Sequence, residues 1–277
     1  MELSKIGVSL KEGCNIEGAE LAIGFLKRDI DFNESIGINP NLLIQEKPYN
    51  LSAVCDINHR LQGIITQCIN QGSFPLVYGG DHALAIGSIS PWIKPNFGLI
   101  WIDAHGDCNT DVSSLTQRIH GMPLAVLMGH GHPELVKLIK HKLLASQILQ
   151  IGIRSLDLKE KELMDAWGVN YLTMEEIRTM SMPELLKIVS TFTQTHDHIH
   201  ISFDCDSMDP SIIKGVNTPA KGGFKLDEII RLLESILASQ KVDSMDIVEY
   251  NPIKDDGQTH AFILRLSQML EAYTHHR

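Results

Sequence analysis

Short runs of β-branched, aliphatic and aromatic residues recur along this chain, and most of them are apolar almost throughout. IGVSL (residues 6–10), NLLIQ (41–45), FPLVYGG (74–80), FGLIWIDA (97–104), QILQIGI (147–153), HIHISFDCD (198–206) and SMDIVEYNP (244–252) read as strands. A strand that is apolar on both faces needs cover on both sides, which a parallel sheet with helical crossovers supplies. Longer amphipathic segments lie between the runs. In LSAVCDINHRLQGIITQCINQG (51–72), Val54, Ile57, Leu61, Ile64, Ile65 and Cys68 fall at helical spacing. MPELLKIVSTFTQ (182–194), KLDEIIRLLESILASQ (225–240) and THAFILRLSQMLEAY (259–273) read as further helices. No internal repeat, low-complexity tract or flexible linker divides the chain. The expectation is therefore a single α/β domain over residues 1–277.

A content of 43% hydrophobic residues suffices for a large core, and no apolar run is long enough to span a bilayer. The first residues, MELSKIGVSLKEG, lack a basic segment followed by an apolar one, so no secretory signal is expected. Cys14, Cys55, Cys68, Cys108 and Cys205 are scattered and odd in number, which predicts free thiols and a reducing cytoplasm. A net charge of −10 argues against a nucleic-acid partner. Part of that acidity belongs to cations if the aspartates below are ligands.

Several apolar runs end in metal-type side chains. GGDH supplies His82, DAHGD supplies Asp103, His105 and Asp107, SFDCDSMDP supplies Asp204, Asp206 and Asp209, and EYNP supplies Glu249. In a parallel sheet the strand C-termini share one edge, where ligands bind. Alternation along a strand predicts that Asp103, His105 and Asp107 point to one spot. Carboxylates gathered there repel one another unless a cation joins them. An oxygen-rich set with two histidines suits Mn²⁺ better than Zn²⁺, and four aspartates balance two divalent ions. The same alternation turns Cys108 and Cys205 away from the acids. Asp209, just before Pro210, reads as a turn or cap. His196, His198 and His200 alternate and could form a second metal site or a solvated strand start, and His275 and His276 read as a polar tail. The polar segment from Cys108 to Gly121 directly follows the DAHGD strand end, where loops carry function.

GGDH, DAHGDCNT, HGMPLA, SFDCDSMDP, NTPAKGG and VEYNP occur in the order found in the ureohydrolase superfamily of arginases, agmatinases and their relatives, which the chain resembles from about residue 75 onward. GCNIEGAELA (13–22) is similar to a reduced form of that family's opening glycine-rich strand–loop–helix. The resemblance implies a single three-layer α/β/α domain with a mostly parallel eight-stranded sheet and a binuclear manganese centre, two Mn²⁺ per chain. It assigns one ion to His82, Asp103, Asp107 and Asp204 and the other to Asp103, His105, Asp204 and Asp206, with Asp103 and Asp204 bridging. Guanidinium is a poor electrophile, so its hydrolysis needs the strong nucleophile that water becomes between two cations. Asp107 belongs to this catalytic centre, Glu249 is suited to pair with the guanidinium, and His120 to carry a proton to the leaving amine.

The resemblance also points to L-arginine, giving L-ornithine and urea. Asn109 matches the arginase pattern at the amino-acid end of the substrate, Asp157 in GIRSLDLKE matches the residue that engages the α-amino group, and EYNP is nearer to arginase EVNP than to agmatinase EVSP. Glu160 and Thr218 fall on positions near the substrate. The chain departs from the family where arginases carry SGN before the HG motif: it reads Thr116, Gln117, Arg118. That keeps open another guanidino substrate, of the agmatinase, guanidinobutyrase or formiminoglutamase kind. A single-zinc amide deacetylase and a non-catalytic binding subunit are the rival classes; the full ligand set and Glu249 weigh against both. A homo-oligomer, trimer or hexamer, is implied, with no membrane or nucleic-acid partner.

Overall fold

The structure, a computed structural model, describes residues 1–43 and 47–277. Its strands are β1 (Leu3–Ser9), β2 (Glu34–Gly37), β3 (Phe74–Gly79), β4 (Phe97–Ile102), β5 (Ile148–Ile153), β6 (Tyr171–Thr173), β7 (His198–Asp204) and β8 (Val242–Val248). They form one 8-stranded sheet in the order β2-β1-β3-β8-β7-β4-β5-β6, and every pairing is parallel. The sheet is thus wholly parallel where a mostly parallel one was expected.

The pleat divides the core in two. Along β4, Ile100 and Ile102 face one cluster, while Leu99 and Trp101 face the other. The long helices are α1 (Leu51–Gln71), α2 (Leu158–Trp167), α3 (Met182–Gln194), α4 (Leu226–Leu237) and α5 (Gln258–His275). Leu185, Ile229 and Phe262 bring α3, α4 and α5 into the first cluster, and Val54 and Met164 bring α1 and α2 into the second. This is the three-layer α/β/α arrangement. In α1 the buried stripe is Val54, Ile57, Leu61, Ile65 and Cys68, with Ile64 partly buried beside it. That helix stops at Gly72, which takes φ 67° and returns its N–H to Cys68 and Ile69.

One expectation fails at a sheet margin, and both edge strands go unmarked in the sequence. The described part of the NLLIQ run, residues 41–43, is not strand: it begins in a 3₁₀ turn, Pro40–Leu42, and Ile44 and Gln45 lie outside the described residues. Asn39 caps that turn by accepting from Asn41 N–H, and Pro40 at its start donates nothing to a ladder. The edge strand β2 is instead formed by ESIG, and the other edge by the short YLT of β6. Both are only partly buried and so carry no continuous apolar signature.

The strands with metal-type termini, β3, β8, β7 and β4, are consecutive in the sheet. Residues far apart in sequence therefore meet at one edge. Close approach there depends on Gly80: a Cβ on it would lie 1.7 Å from the carbonyl oxygen of Leu10, so only glycine lets the end of β1 pack onto the turn after β3.

Candidate metal centre

Asp81 builds the first wall. It caps the 3₁₀ turn His82–Leu84 by accepting from Ala83 N–H at 3.0 Å. Its other oxygen accepts from the N–H groups of Gly13 and Cys14, at 2.8 and 3.1 Å. His82 then points across the strand ends. Ser202 on β7 donates to Asp246 Oδ1 at 2.6 Å, so its oxygen is left to accept from His82 Nε2 at 2.8 Å. Asp246 Oδ2 in turn meets His200 Nε2 at 2.9 Å. A proton on Nε2 leaves a lone pair on Nδ1.

That nitrogen faces three carboxylate oxygens, from Asp103, Asp107 and Asp204, each at 3.1 Å, and it has no hydrogen-bond partner. A buried lone pair surrounded by buried anions is tenable only around a cation. Asp103, His105 and Asp206 form a second group, with His105 Nδ1 3.2 Å from Asp206 and 3.5 Å from Asp103. Asp103 belongs to both groups. Its orientation is fixed by Trp101 Nε1, which donates to it at 2.9 Å, and by the His105 N–H at 2.8 Å. Asp204 accepts from Asp206 N–H at 2.7 Å, and Asp206 from Thr218 Oγ1 at 2.9 Å. The residues present therefore fit hard divalent metal ions.

The electrostatics show the same strain. Burial pushes the Asp204 carboxyl well up, and the charges of Asp206 and Asp103 add to it. Burial and Asp103 raise Asp107 to about 6. Asp103 is also penalised by burial, but hydrogen bonds from His105 and His82 hold it below the usual carboxylate range. On His82 burial disfavours charge, yet Asp103, Asp107 and Asp204 outweigh it and pull a proton onto the ring. Protons and metal ions compete for these atoms.

The strand pleat does not explain the convergence. β4 ends at Ile102, and Asp103 to Asp107 belong to the following loop. His105 keeps a single parallel bridge to Ser155, and Asp107 adopts φ 50°. The loop, held by Leu124 N–H donating to Asp107 O at 3.0 Å and by Asn109 N–H donating to Gly121 O at 3.1 Å, brings Asp107 back.

A cavity of about 270 Å³ opens beside these ligands, a size for a small metabolite. Besides metal-type residues it is lined by Asn109, Thr116, Arg118, His120, Asp157, Glu160, Thr218 and Glu249. Glu249 and Glu160 are buried, His120, Asp157, Asn109 and Arg118 half-buried, and Thr116 exposed. Glu249 sits at φ 62°, with its Oε1 accepting from His82 N–H and meeting His120 Nδ1, both at 3.0 Å. Its Oε2 is buried without a partner. On His120 burial disfavours charge, but Cys14 and Glu249 hold the imidazole well above its ordinary pKa. Asn109 Nδ2 donates to Asp157 Oδ2 at 2.9 Å, and Asp157 Oδ1 caps α2 through Glu160 N–H at 2.8 Å. Glu160 accepts from Cys108 N–H at 3.0 Å, and burial followed by the charge of Asp107 raises it to about 8.

Gln117, at φ 60°, turns its amide back into the loop, donating to the carbonyls of Asp111 and Ser114 at 2.7 Å. Asp209 accepts from the N–H groups of Ser211, Gly222 and Gly223 and is a structural cap. Cys108 and Cys205 point into opposite cores. His196, His198 and His200 do not gather: they bond Phe192 O, Asp243 and Asp246 respectively. No metal-type group forms from them among the described residues. Sequence reasoning passed over Cys14, Asp81, Trp101, Ser202 and Asp246. Asp81, Trp101, Ser202 and Asp246 all lie inside the quoted runs, whereas nothing in the sequence brings Cys14 to His120.

A wholly parallel sheet whose central strand ends gather two histidines and four aspartates defines a metal-dependent hydrolase centre. The sequence profile of the Arginase family matches residues 20–271, and the chain belongs to that family as an enzyme of the arginase class, a family of metal-dependent enzymes. It is 38% identical to the arginase of Bacillus caldovelox over 219 residues, 77% of this chain and 73% of that one. With the arginase of Staphylococcus aureus (strain MRSA252) it shares 34% identity over 262 residues, 91% and 86% of the two chains. The native structure of the Bacillus caldovelox arginase superposes with a TM-score of 0.88 at 33% identity, covering 94% and 95% of the chains. An Entamoeba histolytica arginase solved in complex with L-ornithine gives a TM-score of 0.86 at 29% identity, covering 95% and 96%.

Proposed function

We propose that the chain hydrolyses L-arginine to L-ornithine and urea at a centre of two Mn²⁺ ions, held by His82, Asp103, Asp107 and Asp204 and by Asp103, His105, Asp204 and Asp206. The observation that carries this reading is the polarity of the cleft. Its floor offers the unpartnered Glu249 Oε2, and its rim offers Asp157 and Arg118, charges opposite to an α-amino and an α-carboxylate group. The ornithine held by the Entamoeba arginase has that amino-acid end. The carboxylate-rich set favours Mn²⁺ over softer ions.

Metal ions bound there would supply Lewis acidity, the chemistry that turns water into a strong nucleophile at neutral pH. Glu249 accepts N–H donors of the guanidinium and holds its carbon over the centre. Asp107 completes the ligand set and neutralises charge. His120, charged beside Glu249, donates its proton to the departing amine. Asn109 keeps Asp157 turned to the α-amino group, while Glu160 and Thr218 shape the wall. A homo-oligomer in the cytoplasm belongs to the same reading.

The loop Thr116–Gln117–Arg118 favours a second reading, hydrolysis of agmatine or a guanidino acid, because Thr116 is exposed and Gln117 is committed to loop carbonyls. Urea release from Mn²⁺-loaded protein with arginine, agmatine and guanidinobutyrate decides between them. Arginine should give the highest kcat/KM, and a higher value on another substrate overturns the first reading.

A further inference from the structure

Cys14, His120 and Glu249 each place one potential ligand atom within 4.8 Å of the others, outside the aspartate cage. We propose that they form a third metal site, which takes a thiophilic divalent cation of the Zn²⁺ or Cd²⁺ kind and, when filled, blocks the cleft.

The three donors are mounted on one frame. Cys14 and Gly13 donate their N–H groups to Asp81, and His120 N–H donates to Gly13 O at 3.2 Å. Glu249 N–H donates to Gly80 O at 2.8 Å, and its Oε1 accepts from His82 N–H. A Cβ at position 13 would lie 2.4 Å from Asp81 Oδ1, so glycine is needed to bring Cys14 this close. Glu249 Oε2 is independently suited to a ligand: it is buried and unpartnered, in a side chain 1% exposed.

Charge and softness select the ion. A thiolate, a carboxylate and a neutral imidazole balance one divalent cation, so the filled site is neutral where it is buried. Three protein ligands with a fourth position open to the cleft suit Zn²⁺, and a thiolate draws Zn²⁺ or Cd²⁺ in preference to Mn²⁺. The ion binds by displacing two protons to solvent, the one burial keeps on the Cys14 thiol and the one the imidazolium of His120 carries beside Glu249, as the S–metal and N–metal bonds form. The filled site engages Glu249 and His120, and an incoming guanidinium must displace the ion.

The test uses Mn²⁺-loaded protein carrying Cys55→Ala, which removes the one partly exposed thiol. Cd²⁺ is added without substrate, so the result does not depend on which guanidino compound is hydrolysed. The expected result is one Cd²⁺ bound per chain with Mn²⁺ retained and an ultraviolet thiolate-to-cadmium charge-transfer band. Cys14→Ser should remove the band and raise the inhibition constant for urea release at least tenfold, relative to that variant's own uninhibited rate. Arginine should relieve inhibition competitively. Cd²⁺ uptake matched by Mn²⁺ loss, or no uptake, overturns the proposal on the Cys55→Ala protein alone, whether or not Cys14→Ser folds. A band and inhibition that survive Cys14→Ser overturn it too.

Discussion

Replacing Arg118 by alanine tests where the amino-acid end of the substrate lies. Arg118 lines the cleft, half-buried; its backbone N–H donates to Thr116 Oγ1 and its carbonyl accepts from Gly121 N–H, both at 3.4 Å, while its side chain makes no hydrogen bond or ion pair among the described residues. Its guanidinium fork is thus available to a carboxylate. A hydrogen bond between charged partners is worth roughly 1.5–3 kcal/mol, and partial exposure screens it toward the lower end. Arg118→Ala should therefore lower kcat/KM on arginine by about tenfold, the equivalent of about 1.4 kcal/mol. Agmatine lacks the carboxylate and brings a cation near the same rim. At ~8 Å in water, removing a like charge is worth ~0.5 kcal/mol, so agmatine should be unchanged or improved about twofold. Urea release is measured for both substrates on matched Mn²⁺-loaded preparations. Equal small losses on the two would refute the carboxylate contact and leave recognition to Asn109, Thr116 and Asp157.

Asp103→Asn should empty both metal positions, because Asp103 is common to both groups, whereas Asp206→Asn should empty one; elemental analysis that finds one ion retained in Asp103→Asn contradicts the sharing. His120→Ala should keep two Mn²⁺ per chain and lower kcat by roughly two to four orders of magnitude, the scale of general acid catalysis. Loss of metal in that variant makes His120 a ligand. Mn²⁺ affinity should rise with pH across the acid and neutral range, by about tenfold per pH unit for each proton displaced, because His82 and His105, held protonated by the surrounding carboxylates, must also give up protons to bind. The same sign follows from Asp107, raised to about 6, and from Asp204, also raised: both are protonated in the metal-free protein at low pH and must ionise to bind. Calorimetric titrations between pH about 5 and about 7 that show constant affinity would contradict this.

The interior of the fold was legible because burial on both faces leaves a plain signature. FPLVYGG, FGLIWIDA and QILQIGI are buried throughout in β3, β4 and β5, and MPELLKIVSTFTQ coincides with α3. The margins were not legible. ESIG and YLT sit at the sheet edges, where half of each strand meets solvent and no apolar run is required. At the site, residue types were readable from the strand-end motifs, but contacts made through three dimensions were not. The role of Ser202 in fixing the proton of His82 depends on Asp246 from a neighbouring strand, and Cys14 reaches His120 only because Gly13 and Gly80 let the loop after β1 pack closely.

Strand alternation does not by itself account for where Asp103, His105 and Asp107 meet. Alternation would carry Asp103, His105 and Asp107 along one face of a continuing strand, spreading them roughly 7 Å apart at each step, too far for ligands of one small centre. The strand stops at Ile102 instead, and the chain spends conformational strain to fold back. Asp107 and Glu249 both occupy left-handed φ values, 50° and 62°, a conformation that costs non-glycine residues on the order of 1 kcal/mol or more each. Such strain persists only where surroundings hold it. Asp107 O accepts from Leu124 N–H, and Glu249 is pinned by Gly80 O and His82 N–H. Glycine would relieve the backbone at either position but would remove the carboxylate that faces His82 Nδ1 or the one that faces His120. The strain is thus retained where the carboxylate itself is needed, which separates these two acids from Asp209, whose whole hydrogen-bonding capacity is spent on its own loop.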